Sequence, residues 1–272
     1  MGQTSSSVSG AALRAVVALD RVAKTYASGT HALDPVTLTV REGEFMTLLG
    51  PSGCGKSTIL NLIAGLAAPS SGRMQWWGAG LEAIGAPGRR LAMVFQSATL
   101  MPWARVAPNV RLPLDLAGVP RPTADEAVRD ALALVGLAGF EASYPRELSG
   151  GMQMRASIAR ALVTRPDLLL MDEPFGALDE ITRTRLDAEL LGLWGGRRFT
   201  VVFVTHSIYE AVFLSQRVVV MSARPGRLLD EVVIDEPYPR TETFRVSQRF
   251  FEHARTLQAC LAEASRETEV RS

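Results

Sequence analysis

Long apolar runs are missing from this 272-residue sequence. None approaches the roughly 18 consecutive apolar residues that a membrane-spanning helix requires, and the first residues lack the basic region and apolar core of a secretory signal. Cysteine is scarce, because Cys54 and Cys260 are the only two. They form no disulfide framework and no metal-binding spacing. The net charge of +1 gives no electrostatic reason to expect a nucleic acid partner.

One glycine-rich stretch is typical of phosphate binding. Residues Gly50–Thr58 read GPSGCGKST and fit the phosphate-loop pattern G-x-x-x-x-G-K-[ST]. A strand-like run precedes the stretch and a helix-like run follows it, which is the context that the pattern requires. Glycines let consecutive backbone N–H groups point at one anion, and the next helix turns its positive end toward the same point. We therefore predict a nucleotide site in which Lys56 meets the β- and γ-phosphates and Ser57 offers its hydroxyl to Mg²⁺.

Polar side chains follow three further strand-like runs. Gln96, the pair Asp172 and Glu173, and finally His206 each stand where an apolar run ends. Ligands of parallel sheets bind beyond the carboxyl ends of the strands, so these side chains should gather beside the phosphate loop. Gln96 and Asp172 suit Mg²⁺, and Glu173 suits a base for an attacking water. His206 is a candidate γ-phosphate contact. Ordinary loop, turn or hydrogen-bonded residues are the alternatives for all four.

Three other features also have plain alternatives. Tyr26 ends a strand-like run and suits stacking on a nucleotide base, although an ordinary strand aromatic would look the same. Ser149 is a good helix N-cap, and the bare N–H groups of Gly150 and Gly151 would form a second anion-binding helix start; a simple capped helix is the alternative. Cys54 lies near Lys56 and a helix start, both of which lower a thiol pKa. We expect it to react with alkylating agents unless it is buried.

The alternation of strand-like and helix-like runs predicts an α/β fold. Residues 1–12 are rich in Ser, Gly and Ala and are predicted to be disordered. The main domain is expected at 13–240, with a helical subdomain inserted at about 97–165. A capping-box sequence at Thr123 predicts the start of a helix there. Residues 241–272 are expected to form a C-terminal helical extension.

The order of these motifs resembles the ATP-binding subunit of ABC transporters. The similarity runs from about residue 16 to residue 235 and also includes Asp179, between Glu173 and His206. It implies a RecA-like P-loop NTPase core with an antiparallel β subdomain and an inserted α-helical subdomain. It also implies hydrolysis of ATP, with Mg²⁺, by a head-to-tail dimer. Each ATP would lie between the phosphate loop of one chain and the Ser-Gly-Gly signature of the other.

The resemblance also assigns roles to single residues. Tyr26 would stack on adenine, Gln96 would be the hinge to the helical subdomain, and His206 would be the switch histidine. The predicted catalytic residues are Glu173, His206 and Lys56. The predicted metal ligands are Ser57, Gln96 and Asp172. The predicted nucleotide-binding residues are Tyr26, Gly50, Pro51, Ser52, Gly53, Cys54, Gly55, Lys56, Ser57, Thr58, Gln96, Ser149, Gly150, Gly151 and Asp179.

Finer similarity points to importers of the nitrate, sulfonate and taurine group. It is carried by the stretches 94–96, 100–103, 171–179 and 224–227. The resemblance implies transmembrane permease subunits as partners and, indirectly, a periplasmic or lipid-anchored solute-binding protein. It implies no nucleic acid partner and a peripheral position on the cytoplasmic face of the inner membrane. The sequence departs from the commonest family pattern at Ser207, where Asp is usual.

Alternative functions and one alternative placement stay open. An exporter or lipoprotein-release ATPase would have the same fold. A soluble ABC protein of translation or DNA repair usually has two ATPase domains or long coiled-coil insertions, and neither pattern is present. By resemblance, Trp103 and its neighbours form a groove for a cytoplasmic helix of the permease. The alternative is that Trp103 packs inside the helical insertion.

Overall fold

The computed structural model describes residues 14–222 and 224–269, so the predicted disordered tail at 1–12 lies outside the described residues. The described strands are β1 (Ala15–Thr25), β2 (His31–Arg41), β3 (Phe45–Leu49), β4 (Ser71–Trp76), β5 (Leu91–Val94), β6 (Leu168–Asp172), β7 (Thr200–Thr205), β8 (Arg217–Met221) and β9 (Leu228–Val233). The described α-helices are α1 (Lys56–Ile63), α2 (Val106–Leu116), α3 (Arg121–Leu134), α4 (Gly150–Leu162), α5 (Glu180–Arg197), α6 (Ile208–Leu214), α7 (Glu242–Arg245) and α8 (Gln248–Glu269).

A six-stranded sheet forms the centre of the described chain. Its order is β5-β6-β7-β3-β8-β9, with β5 to β8 parallel and β9 antiparallel at the edge. Strand β3 is buried on both faces, as its mostly apolar sequence predicts. Its alternate residues enter two different cores: Phe45 and Leu49 pack on one side of the sheet, Met46 and Leu48 on the other. The parallel order places the carboxyl ends of these strands along one edge.

A second sheet covers one of these cores. It has the antiparallel order β2-β1-β4. Strand β2 alternates between buried and exposed residues, which is typical of a sheet with one solvent-facing side. The indole N–H of Trp76 at the end of β4 donates to the carbonyl of Ile63 at the end of α1, at 2.8 Å. The α/β fold with an antiparallel sheet is therefore confirmed.

Three helices, α2, α3 and α4, form the insertion between β5 and β6. The prediction that a helix starts at Thr123 is wrong. Helix α3 begins two residues earlier, after Pro120 as N-cap residue, and Pro122 lies in its first turn. Proline at that position loses no helical hydrogen bond, because the first N–H groups of a helix have no partner within it. The end is as expected, with Gly136 at φ 67° just past the helix.

The two C-terminal helices pack against the core. Phe250 in α8 stacks on Tyr209 of α6 with ring centroids 5.9 Å apart. Arg245 in α7 donates to the Asp187 carboxyl group of α5 at 3.0 Å. Within the described residues, the chain has no helix that combines the length and the apolar character of a membrane span.

Candidate nucleotide-binding site

A cleft of about 370 Å³ lies at the carboxyl edge of the central sheet. The loop between β3 and α1 forms its floor, as the phosphate-loop pattern predicts. The cleft is lined by Tyr26, Thr30, Ala32, Ser52, Gly53, Gly55, Lys56, Ser57, Thr58, Gln96, Asp172, Glu173 and Arg224. Ten of these residues were predicted from the sequence. Thr30, Ala32 and Arg224 were not.

The glycines of the loop stand where other residues do not fit. Gly53 and Gly55 have φ values of 75° and 95°, in the left-handed region that a side chain disfavours. Gly55 is also the N-cap residue of α1. A Cβ at Gly50 would come within 2.9 Å of the carbonyl oxygen of Met221. The loop can therefore turn tightly and present backbone N–H groups at the start of a helix, which suits an anion.

Lys56 is the central cation of the cleft. Its side chain is only 4% exposed. The ammonium group donates to the carbonyls of Gly50 at 2.8 Å and Pro51 at 2.9 Å, and it lies 3.5 Å from Glu173 Oε1. These contacts hold the ammonium above the loop, where it can meet a phosphate that the loop binds.

Ser57 and Asp172, two of the three predicted metal ligands, are in direct contact. The Ser57 hydroxyl donates to Asp172 Oδ1 at 3.0 Å, and Gln96 lines the same cleft. Burial raises the pKa of Asp172, and the hydrogen bond from Ser57 partly offsets this. A hydroxyl, one carboxylate and an amide oxygen fit Mg²⁺, which proteins bind through one or two carboxylates together with substrate phosphates. No group of three or more His, Cys, Asp or Glu side chains in the described part of the chain could hold a metal.

Glu173 has an unusual backbone. Its φ of 44° lies in the left-handed region, which costs a non-glycine residue about 1–3 kcal/mol. Its N–H donates to the carbonyl of Val204 in β7 at 3.0 Å. Its Oε2 lies 3.2 Å from Nδ1 of His206, which follows the same strand. The strained turn therefore directs the carboxylate toward both Lys56 and His206. His206 does not itself line the cleft.

Tyr26 stands directly after β1 and lines the cleft rather than the sheet. Its hydroxyl is 3.2 Å from Thr58 Oγ1, and the ammonium of Lys24 lies 5.1 Å from its ring centroid. The interpretation of Tyr26 as an ordinary strand aromatic is therefore wrong. An aromatic ring at the rim of this cleft can stack on a flat base.

The structure favours the alternative of a buried, inert Cys54 thiol. The side chain is fully buried, and burial raises its pKa, with Lys56 as a smaller opposing influence. The sulfur lies beneath the loop, since a Cβ at Gly50 would be 2.8 Å from it. Cys54 therefore belongs to the core under the loop.

The second anion-binding helix start predicted from the sequence, at Ser149, lies outside the cleft. Ser149, Gly150, Gly151 and Asp179 do not line the cleft of their own chain. The N–H of Met152 donates to Ser149 at 3.3 Å, which confirms the N-cap of α4. Asp179 Oδ1 is likewise the N-cap acceptor of α5, at 3.0 Å from the N–H of Thr182. A Cβ at Gly151 would be 3.0 Å from Thr182, so the two helix starts lie side by side.

Comparisons with known proteins identify the family of the chain. The ABC transporter family model matches residues 33–176. The chain belongs to the ABC transporter family. Relatives include an ABC transporter ATP-binding protein of Methanocaldococcus jannaschii, 50% identical over 78% of both chains. The taurine import ATP-binding protein TauB of Rhizobium johnstonii is 47% identical over 78% of this chain and 80% of its own. The aliphatic sulfonates import ATP-binding protein SsuB of Bacillus cereus is 42% identical over 84% and 89%.

Solved structures of ABC cassettes share the fold. The dimeric bacterial cassette MJ0796 has a TM-score of 0.71 at 32% identity, covering 81% of this chain and all of that one. A second structure of that cassette is a post-hydrolysis state bound to ADP and Pi. The cbiO1 protein of Clostridium perfringens has a TM-score of 0.73 at 25% identity, covering 90% and 99%. The ABC protein described here is therefore an ATP-binding and ATP-hydrolysing subunit with a P-loop NTPase core.

Proposed function

We propose that this ABC ATPase powers an importer of a small solute such as taurine, another sulfonate, nitrate or a related compound, through a separate permease. The observation that carries the proposal is the sequence identity of 42–47% to subunits named for taurine and sulfonate import. Those names favour an importer over an exporter or lipoprotein-release ATPase of the same fold. Residues 13–240 would form the ATPase domain, with 97–165 as the inserted helical subdomain and 241–272 as an extension.

The reaction is hydrolysis of the γ-phosphate bond of ATP by water. Glu173 would accept the proton from the attacking water, since its carboxylate lies at the cleft beside Lys56. His206 would orient that carboxylate and approach the γ-phosphate from the end of β7. Lys56 and the backbone N–H groups of the loop would bind the β- and γ-phosphates. Ser57, Gln96 and Asp172 would hold Mg²⁺, which neutralises charge on the phosphate oxygens when it is bound.

Nucleotide and partner contacts complete the proposal. Tyr26 would stack on adenine, and Gln96 would connect the cleft to the helical subdomain. The signature at 149–151 and Asp179 would act on the nucleotide of a second copy in a head-to-tail dimer. The partners would be transmembrane permease subunits and, through them, a periplasmic or lipid-anchored solute-binding protein. The chain would then lie peripherally on the cytoplasmic face of the inner membrane.

Isolation of the native complex tests this function. The tagged chain is purified from detergent-solubilised membranes, and the co-purifying proteins are identified by mass spectrometry. The complex is then reconstituted in liposomes with its binding protein, and ATP hydrolysis is measured with taurine, ethanesulfonate or nitrate. We expect a permease in the complex and stimulation by at least one of these solutes. Co-purification of an exporter-type membrane protein, or hydrolysis that none of the three solutes affects, would contradict the proposal. Glu173→Gln provides the inactive control.

A further inference from the structure

The turn between β8 and β9 lies against the phosphate loop. Strand β8 is the neighbour of β3, so the turn after β8 lies at the same edge as the loop after β3. Gly226 fixes the turn: its N–H donates to the carbonyl of Ala32 and its carbonyl accepts from the N–H of Asp34, both at 3.0 Å. A Cβ at Gly226 would come within 2.1 Å of the carbonyl oxygen of Cys54. The turn is thus held between β2 and the loop at close range.

Arg224 extends from this turn over the phosphate loop. Its Nε–H donates to the carbonyl of Gly53 at 3.0 Å, and a Cβ at Gly53 would lie 2.9 Å from its Nη2. Arg224 also lines the nucleotide cleft. A guanidinium has five N–H donors, and this bond uses one of them. The other donors stand at the rim of the cleft, since the side chain is exposed.

The charges of the cleft give Arg224 a function. Its charged lining residues are Lys56, Arg224, Asp172 and Glu173. Without Arg224, Lys56 would be the one cationic side chain among the described residues that line the cleft, against two carboxylates, and it already lies 3.5 Å from Glu173. Such a lining would be unfavourable for a strongly anionic triphosphate. Guanidinium groups bind phosphate oxygens through paired, charge-assisted hydrogen bonds. We infer that Arg224 is a further nucleotide-binding residue, which donates to a phosphate of the bound nucleotide while its Nε–H stays on the loop.

A purely supporting role is the alternative. The bond to Gly53 could hold the loop in shape without any contact to the nucleotide. The two roles differ in how they depend on charge. A phosphate contact weakens in the order ATP, ADP, adenosine and is screened by salt, whereas loop support needs only a hydrogen-bond donor. Arg224→Gln removes the charge and keeps a donor, and Arg224→Lys keeps the charge.

The experiment measures equilibrium binding of Mg-ATP, Mg-ADP and adenosine to the full-length chain by isothermal titration calorimetry at low and high salt. Arg227→Gln is the matched control. It lies in the same turn, pairs with Asp34 at 3.4 Å and does not line the cleft. We expect Arg224→Gln to weaken ATP binding roughly ten-fold or more, to weaken ADP binding less and to leave adenosine unchanged. Arg224→Lys should retain most of the affinity and the salt dependence.

Two results would overturn the inference. The first is ATP affinity of Arg224→Gln within two-fold of the parent with the same salt dependence, which would show that the donor alone matters. The second is an equal loss for ATP and adenosine, which would place the effect on the shape of the cleft. Thermal unfolding of each variant shows whether it is folded. If Arg224→Gln does not fold, the Lys variant still tests the contact. A phosphate contact predicts that this variant keeps most of the ATP affinity and its salt dependence, whereas an equal loss for ATP and adenosine would overturn the inference. The inference rests on the cleft being the nucleotide site and does not depend on the importer assignment. The binding measurements can therefore fail while the transport experiment succeeds, and the reverse.

Discussion

The ammonium group of Lys56 lies 3.5 Å from Oε1 of Glu173. An ammonium group has three donors, and two of them already meet the carbonyls of Gly50 and Pro51. A phosphate oxygen that binds Lys56 would therefore take the position that Glu173 holds. Release of Glu173 from Lys56 would leave its carboxylate free to accept a proton from water. On this geometry, one event achieves both binding and activation: a phosphate oxygen replaces Glu173 as the partner of Lys56, and the Glu173 carboxylate becomes available as the base.

Glu173→Gln tests this exchange. The amide cannot accept the proton, so we expect hydrolysis to fall roughly 10²- to 10⁴-fold. ATP binding should be retained or strengthened, because Lys56 no longer has a carboxylate as a competing partner. Phosphate release and nucleotide affinity measure the two effects separately. Glu126→Gln on an exposed face of α3 is the control, and near-normal turnover of Glu173→Gln would assign the base elsewhere.

Cys54 should react slowly with iodoacetamide whether or not Mg-ATP is present. Its thiol is fully buried beneath the loop, and burial raises its pKa, so little thiolate is available at neutral pH. The half-buried Cys260 is the internal comparison. Peptide mass spectrometry after timed labelling measures both rates. Rapid labelling of Cys54 that ATP prevents would show that the loop opens and exposes the thiol.

Arg245→Met should destabilise the fold by about 1–3 kcal/mol. Arg245 is the partner of Asp187, whose side chain is buried. Burial and, to a smaller extent, the nearby Glu210 raise the pKa of Asp187 to about 8, and Arg245 opposes this rise only in part. The pair of the exposed Arg185 with the half-buried Glu189 gives a control, because Arg185→Gln should change stability by under about 1 kcal/mol. Urea unfolding followed by circular dichroism measures both variants.

The pH dependence of the Arg245→Met effect has a definite sign. An unfolded aspartate has a pKa near 3.9, and the folded value for Asp187 is about 8. Its raised pKa therefore favours the folded state fully below about pH 4, and this contribution is lost as pH rises toward 8. Without Arg245 the carboxylate lacks its nearest cation, so the variant should lose more stability at pH 9 than at pH 5. Asp187→Asn should remove this part of the pH dependence, and an equal loss at both pH values would contradict the assignment.

Trp103→Ala should uncouple transport from hydrolysis. Its side chain is 77% exposed on the helical insertion, so the alternative that it packs inside the insertion is wrong. An exposed aromatic is a plausible anchor for a permease helix. We expect basal ATP hydrolysis of the isolated subunit to be unchanged, while stimulation by substrate in the reconstituted importer is lost. Full substrate-stimulated transport by the variant would exclude this surface as the coupling contact.

Local patterns predicted the parts of the site that are local in the chain. The loop Gly50–Thr58 needs only its own glycines and flanking elements, and Asp172 and Glu173 follow from the end of a buried strand. The sequence left both a reactive and a buried Cys54 open, because spacing does not show which side of a loop a side chain faces. Arg224 was missed because its contact with Gly53 spans 171 residues. That contact depends on the pairing of β8 with β3, and the stretch 224–227 was noted only as a family signal.

The last prediction concerns Ser149, Gly150 and Gly151, which lie outside the cleft of their own chain. The phosphate loop and Lys56 approach a triphosphate from one side, so the outer γ-phosphate oxygens need donors from another direction. The start of α4 offers such donors, but it lies beside the start of α5, where a Cβ at Gly151 would be 3.0 Å from Thr182. We therefore expect it to serve the nucleotide of a second copy in a two-fold, head-to-tail dimer.

Complementation between two inactive variants tests this arrangement. Lys56→Ala disables the phosphate-loop half of a site, and Ser149→Arg blocks the signature half. Each homodimer then has two broken sites, whereas a mixed dimer collects both changes in one site and leaves the other intact. The variants are co-expressed with different tags and purified through both tags in turn. The mixed dimer should recover ATP-dependent closure or hydrolysis that neither parent shows.

A wild-type pair with the same two tags is the control for the purification. If that pair is active and the mixed dimer is as inactive as its parents, the helix start at Ser149 serves the nucleotide of its own chain, and a shared site is wrong for this protein. Recovered activity in the mixed dimer would indicate shared sites. If both halves of a site came from one chain, each chain of the mixed dimer would still carry one broken half and no site would be intact. The mixed dimer therefore distinguishes a site that one chain forms alone from a site that two chains share.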